Sequence, residues 1–444
     1  MVCTTATAPT RTSGAVKPPH MARKGRAGER VHDVCTRAGK HEEARIQYFF
    51  LHASVVSYLC GVYITRVITN HQSNVQCSSA RLRASESTLP SPVAEVRGDR
   101  RPAMSAGSEK KRTACVTGGS GYIASALVKM LLEKGYAVKT TVRNPDDMEK
   151  NSHLKDLQAL GPLEVFRADL DEEGSFDEAV AGCDYAFLVA APVNIHTKNP
   201  EKEMIEPAVR GTLNVLRSCV KARTVKRVVL TSSAAAVSSR PELQGDGHVL
   251  DEDSWSDMEY LTANKSSYYG YPVSKVLLEK AACRFAEEHG ISLATVCPVV
   301  TVGEAPAPNA RTSVPNCLSL LSGDEAAFAV LNAIESATGC IPMVHVDDLC
   351  RAEVFVVEED AAAGRYICCS LNTTIAELGR FLAQKYPPYG VKTHLLSGDR
   401  LEKPRVCLSS AKLLREGFEF KYKTLEHIYD DMVEYGKAVG ILPN

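Results

Sequence analysis

The stretch "TACVTGGSGYIASALVKMLLEKGYAVKTTVR", residues 113–143, constrains the fold more than any other part of the chain. It reads as a short apolar run, a glycine turn, a segment with apolar residues at helical spacing that stops at Gly135, and a second strand-like run. A strand, a crossover helix and a second strand at this separation make a parallel βαβ unit. Within the turn, Gly118 and Gly121 are three positions apart and Ala124 follows three later. Gly118 allows the tight turn, Gly121 lets backbone approach a pyrophosphate, and the helix start offers free N–H groups and a positive dipole end to that anion. The third position has only to be small for helix and strand to pack, and Ala124 meets that need. The pattern predicts a dinucleotide site.

Further strands are expected at "LEVFRAD", "DYAFLVAA", "VKRVVLTSS" and "ISLATVCPVV", with helix-length segments between them. That alternation predicts an α/β fold, a doubly wound parallel (Rossmann) sheet over residues 108–302. After Val302 the alternation weakens and Pro, Gly and Asn become common, so residues 303–444 are expected to form a smaller substrate-side region ending in the amphipathic "TLEHIYDDMVEYGKAV". A chain of 444 residues with 44% apolar side chains can bury a core of this size.

Residues 1–107 differ from the rest. They are rich in Ser, Thr, Ala and Arg, show no sustained period, and are expected to be poorly ordered. Residues 1–103 carry 15 Lys and Arg against 7 Asp and Glu, which leaves the body of the chain mildly acidic and gives no reason to expect a nucleic-acid partner. Tyr48 to Thr65 is a run of 18 residues without Asp, Glu, Lys or Arg, near the lower limit for a membrane span, diluted by His52, three Ser or Thr and one Gly. A signal anchor, a transit peptide and a non-native extension all remain open readings. Met104 followed by "SAGSEKKR" would give an ordinary start just before the first strand, and stable membrane insertion is not expected. Fifteen scattered cysteines, with Cys368 and Cys369 adjacent and no CxxC, suggest reduced thiols in a cytoplasmic protein rather than a disulfide scaffold. No clustered spacing suits zinc, and no metal is expected.

The chemistry above the loop is suggested by "YYGYPVSKVLLEKAA", which puts Tyr271 and Lys275 four apart at the start of a helix and so on one face. A phenol gives up its proton reluctantly near neutral pH, and a neighbouring ammonium group favours the phenolate. "VVLTSSAAAV" adds Ser232 and Ser233 at a strand end, where open α/β sheets place their ligands and where a hydroxyl can hold a substrate oxygen. Each has a plainer reading: Tyr and Lys four apart occur in many helices, and paired serines often cap one. At the end of the second strand stands Arg143, with Lys150 seven positions on, where an acid would hold a ribose hydroxyl. Two cations favour a 2′-phosphate and hence NADPH; the plainer reading of each is a solvated surface charge. Asp169, at the end of the third strand, reads either as an adenine contact or as an ordinary turn. Trp255 reads either as a border of the substrate site or as a packed surface loop, and His345 as a strand-end residue before a helix capped by Asp347 or Asp348.

These residues resemble the extended short-chain dehydrogenase/reductase family, and within it the plant flavonoid reductases, over about residues 110–444. "GYAVKTTVRNP", "LEVFRADLDEEGSFDEAVAGCDYAF", "VKRVVLTSSAAAV", "GYPVSK", "HVDDLCRAEVFV" and "GRYICC" carry the likeness. The resemblance implies Ser233, Tyr271 and Lys275 as the catalytic set, with Tyr271 as proton donor tuned by Lys275. It implies NADPH contacts from Gly118, Gly121, Tyr122, Ile123, Arg143 and Lys150 on the first half of the sheet. Asp169, Leu170, Val189, Ala190 and Pro298 are implied as well, with Tyr271 and Lys275 again contributing. "TGGSGYIAS" and "SSAAAV" set the chain apart from the dihydroflavonol enzymes, which show TGASGFIGS and SSAGTVN. The implied reaction is the double reduction of an anthocyanidin to a 2,3-cis flavan-3-ol such as epicatechin; carbonyl reduction of a dihydroflavonol is the alternative. Leu188 and Ala191 depart from a more common histidine and threonine on the fourth strand.

Overall fold

The computed structural model describes residues 111–443 apart from 195–196, 241–246, 266–267, 308–312, 397 and 399. The readings made for residues 1–107, including Tyr48 to Thr65, lie outside them. Among the described residues no single helix is long and apolar enough to cross a membrane.

The strands are β1 (Thr113–Thr117), β2 (Ala137–Val142), β3 (Leu163–Arg167), β4 (Tyr185–Leu188), β5 (Arg227–Thr231), β6 (His248–Leu250), β7 (Leu293–Pro298), β8 (Val300–Val302), β9 (Ile341–His345), β10 (Gly364–Cys368), β11 (Leu371–Thr373) and β12 (Val406–Leu408). Seven of them form one sheet in the order β10-β7-β5-β4-β1-β2-β3, and every pairing in it is parallel. The order reverses between β1 and β4, which creates the switch-point crevice above the carboxyl ends where open α/β sheets bind ligands. β8 pairs with β9, and β9 with β11, in a second small sheet; β6 and β12 form a third.

Alternation along each central strand builds the two faces. Ala114 and Val116 enter the layer that holds the helices Tyr122–Glu133 and Val346–Glu358, while Cys115 points into the layer of helices Glu206–Ala222 and Gly270–His289. Because both faces are covered, these strands read as nearly continuous apolar runs. Fully buried residues such as Leu127 and Leu131 on the first helix each contribute about 1.5–3 kcal/mol of burial energy. A separate apolar cluster, with Val302, Leu318, Leu378, Ile428 and Met432, packs outside the two layers of the main sheet.

The layout differs from a simple cut at Val302. Residues 103–444 make one compact unit, and the segment 303–444 returns to the main sheet with helix Val346–Glu358 and edge strand β10. β7 would otherwise present a row of unpaired N–H and C=O groups; β10 pairs with it from Gly364↔Ala294 to Cys368↔Pro298. The eleven described cysteines are all free thiols, and Cys368 and Cys369 are buried at the end of β10.

Candidate active site

The glycine turn leaves β1 with Gly118 at φ 80°, and the Gly118 and Gly119 N–H groups both donate to Thr141 O, at 3.0 and 2.9 Å. This folds the turn over the end of β2. A Cβ on Gly118 would lie 3.0 Å from the Cβ of Ala190, and one on Gly119 would collide with the Thr140 hydroxyl, which donates to Val116 O at 2.8 Å. Helix Tyr122–Glu133 then starts at Gly121 with no side-chain cap. Its first N–H groups, those of Tyr122 and Ile123 included, have no intrahelical acceptor. An uncapped helix start behind a glycine-rich turn fits a pyrophosphate.

Two residues not singled out from the sequence shape this turn. Thr117 Oγ1 accepts from the N–H groups of both Val189 and Ala190 at 3.0 Å, tying the end of β1 to the end of β4. His153 lies under the loop with Nε2 3.0 Å from Gly119 O. A carbonyl accepts, so Nε2 carries the proton, and Nδ1 is buried without a partner. Burial pushes the imidazole pKa down, keeping it neutral. Thr117 stands directly before the first glycine, a position the loop pattern does not score; His153 lies in a weakly amphipathic helix, where sequence gives no cue to a long-range contact.

The remaining sequence-derived cofactor positions divide. Arg143 is exposed at the end of β2 and has no hydrogen-bond or ion-pair partner among the described residues. Lys150 is held by Asp147, its Nζ 2.5 Å from Oδ2, at the start of helix Met148–Leu157. Asp169, just after β3, accepts from Asp171 N–H through its Oδ1 at 3.0 Å. Leu170 packs on Gly211, where a Cβ would stand 2.7 Å from the Leu170 Cβ. Pro298 closes β7 beside Cys368.

Across the switch point, Ser233 follows β5 and caps the short turn Ala234–Ala236, accepting from Ala235 N–H at 3.2 Å. Tyr271 and Lys275 come from the first turn and a half of helix Gly270–His289. Lys275 is buried; its Nζ lies 5.8 Å from the centre of the Tyr271 ring and 3.4 Å from Thr231 O. The structure separates the two serines: Ser232 is buried and donates to Glu279 Oε2 at 2.8 Å, while Ser233 remains partly open. Glu279 is fully buried one turn beyond Lys275, and its Oε1 lies 2.5 Å from Arg365 Nε. Burial raises the carboxyl pKa, opposed by the Arg365 charge and the Ser232 bond. The Arg365 guanidinium in turn lies 3.8 Å over the Trp255 ring and bonds the carbonyls of Glu252 and Ser254, so Trp255 is a packed loop residue.

The sequence matches the family described as "NAD dependent epimerase/dehydratase family" over residues 114–369. The chain belongs to this family. Among its relatives, the anthocyanidin reductase ((2S)-flavan-3-ol-forming) of Vitis vinifera is 50% identical over 334 residues, spanning 75% of this chain and 98% of the relative. The dihydroflavonol 4-reductase of Callistephus chinensis is 42% identical, spanning 74% and 87%. Among solved structures, vestitone reductase from alfalfa is 36% identical with a TM-score of 0.62, spanning 75% of this chain and all of that one. Family membership accounts for the nucleotide-type loop. The local geometry also corrects one sequence expectation: His345 itself caps helix Val346–Glu358, its Nδ1 accepting from Asp347 N–H at 3.1 Å. Asp348 instead accepts from the N–H groups of Lys421 and Tyr422.

Proposed function

We propose that the protein reduces an anthocyanidin to a flavan-3-ol with NADPH, acting in the cytoplasm, and that Ser233, Tyr271 and Lys275 carry the chemistry. The observation that carries this reading is 50% identity to the Vitis vinifera relative over 98% of its length, and Ser233 just after β5 with Lys275 Nζ 3.4 Å from Thr231 O supports it. Gly118, Gly121 and the backbone N–H groups of Tyr122 and Ile123 would hold the pyrophosphate, with Val189, Ala190 and Pro298 along the crevice. Exposed, and unpaired among the described residues, Arg143 is the cation suited to a 2′-phosphate. Lys150, already neutralised by Asp147, contributes less. Asp169 and Leu170 bound the adenine side through backbone and packing.

When bound, the reduced dinucleotide supplies hydride. A flavylium cation that accepts two hydrides needs one proton to become a neutral flavan-3-ol. Tyr271 delivers that proton from its hydroxyl to the enol-like carbon between the two hydride additions, and Lys275 beneath it stabilises the phenolate left behind. Ser233 holds a hydroxyl oxygen of the substrate through its own hydroxyl.

Full-length protein is incubated with NADPH and either cyanidin or dihydroquercetin, and the products are resolved by chiral chromatography. Flavan-3-ol from cyanidin is expected, and the C2 and C3 configurations together show whether it is 2,3-cis and whether it is (2S), as in the name of the Vitis vinifera relative. Leucoanthocyanidin from dihydroquercetin with cyanidin untouched would replace this reading by carbonyl reduction. Tyr271→Phe is expected to lose about 10²- to 10⁴-fold in turnover while keeping its NADPH affinity; full retained turnover would remove Tyr271 from the mechanism.

A further inference from the structure

Tyr122 does two jobs at once. Its backbone N–H belongs to the uncapped helix start, while its hydroxyl leaves the dinucleotide crevice and donates to Gly303 O at 2.5 Å, 181 residues away. One turn on, Ser125 Oγ accepts from Ala307 N–H at 3.1 Å and donates to Tyr122 O at 2.9 Å, so both its donor and an acceptor lone pair are used. Two adjacent side chains of the nucleotide-side helix therefore grip both ends of Gly303–Ala307, the first residues after β8.

The opposite side of that segment is fixed as well. Asp431, on helix Leu425–Ala438, accepts from Glu304 N–H and from His345 Nε2, both at 2.9 Å, and the His345 ring stacks on Tyr422 at 3.6 Å and 11°. Gly303 has φ 111°, and a Cβ there would collide with the His345 ring. Only glycine fits between the two clamps. Burial pushes the Tyr122 phenol well up, so it remains a donor throughout the working pH range.

We propose that Tyr122 and Ser125 are positioning residues that set the substrate-side segment Gly303–Ala307 against the nucleotide helix, so that flavonoid affinity depends on their hydroxyls while dinucleotide affinity does not. This rests on the reading of the glycine turn as the dinucleotide site and of the region after Val302 as the substrate side. The separation follows from which atoms are used: backbone N–H groups for the anion, side-chain oxygens for the segment.

The test compares wild type, Tyr122→Phe and Ser125→Ala. The expected result is a rise in the KM for cyanidin of about fivefold per lost hydrogen bond, with kcat and the NADPH Kd changed by less than about twofold. Hydrogen exchange of the Glu304 and Ala307 amides in the enzyme without flavonoid is expected to accelerate by a similar factor in both variants. Unchanged exchange at these amides would overturn the proposal, as would an NADPH Kd that weakens in step with the KM. The exchange readout needs no turnover, so a wild type inactive on cyanidin would refute the proposed reaction while the clamp is still judged by its amides.

Discussion

Glu353 offers the sharpest energetic test of the site's foundations. It lies on helix Val346–Glu358, fully buried; its Oε1 accepts the Thr231 hydroxyl at 2.6 Å and its Oε2 has no partner. Burial pushes the carboxyl up to about 7, only partly opposed by the Thr231 bond. An unfolded chain returns it to its ordinary value of 4.5. Folded protein thus holds this proton across a window in which unfolded protein has lost it. The associated stability is fully present below pH 4.5 and is lost as pH rises through 7, a total of about 3 kcal/mol at 1.36 kcal/mol per unit. Glu353→Gln keeps an oxygen for Thr231 and cannot ionise. Its buried amide N–H groups cost about 1–3 kcal/mol at every pH, so the variant is expected to be the less stable protein at pH 5. Relative to wild type it should then gain about 3 kcal/mol between pH 5 and pH 8.5. Urea unfolding followed by circular dichroism at half-unit steps reads this difference directly. A difference that stays constant across the range would show that Glu353 ionises at its ordinary pKa in the folded state, and the burial argument would be wrong.

Two further substitutions follow from the same geometry. Arg143→Ser should weaken NADPH binding by about tenfold or more, the worth of a charge-assisted bond, and leave NADH binding unchanged in parallel fluorescence titrations; equal loss for both would remove the 2′-phosphate role. Glu279→Gln and Arg365→Met each break a buried ion pair and should each cost about 3–5 kcal/mol in urea unfolding, whereas the double variant should recover much of that loss. Simple addition of the two single effects would show that the pair does not act as a unit.

The parts of this molecule legible in its sequence are those specified locally. The turn at Gly118, the helix that follows and the strand at Ala137–Val142 are written within one contiguous stretch, and periodicity locates them to within a residue or two. Tyr271 and Lys275 are likewise visible because helical spacing puts them together. β10 was hidden for the opposite reason: "GRYICC" is a good strand, but only pairing across more than sixty residues, with Ala294 to Pro298, assigns it to the main sheet. Asp347 and Asp348 looked like helix caps by residue type, yet three-dimensional packing gave that place to His345 and used Asp348 to bind the backbone at Lys421. His153 and Glu353 carry no local signature at all, since a buried polar residue is recognisable only once its partner is known.

The polar residues that sequence could not interpret share a logic around Ser233. Thr231 and Ser232 are consecutive at the end of β5, so their side chains leave opposite faces of the sheet. Thr231 donates to Glu353 in the layer of helix Val346–Glu358, and Ser232 donates to Glu279 in the layer of helix Gly270–His289. Both acceptors are fully buried carboxyl groups, which a core would normally avoid because an unpaired one is costly. Here each one holds a strand-end hydroxyl, and Arg365 completes the pair with Glu279. The backbone that presents Ser233 is therefore gripped from both sides, while the Thr231 carbonyl lies 3.4 Å from Lys275 Nζ. Side-chain hydrogen bonds with defined geometry fix position in a way that apolar contacts, which tolerate sliding, do not. On the proposed reading, two buried acids beneath one strand end keep the Ser233 hydroxyl and the Lys275 ammonium group at a fixed separation while substrate and dinucleotide come and go.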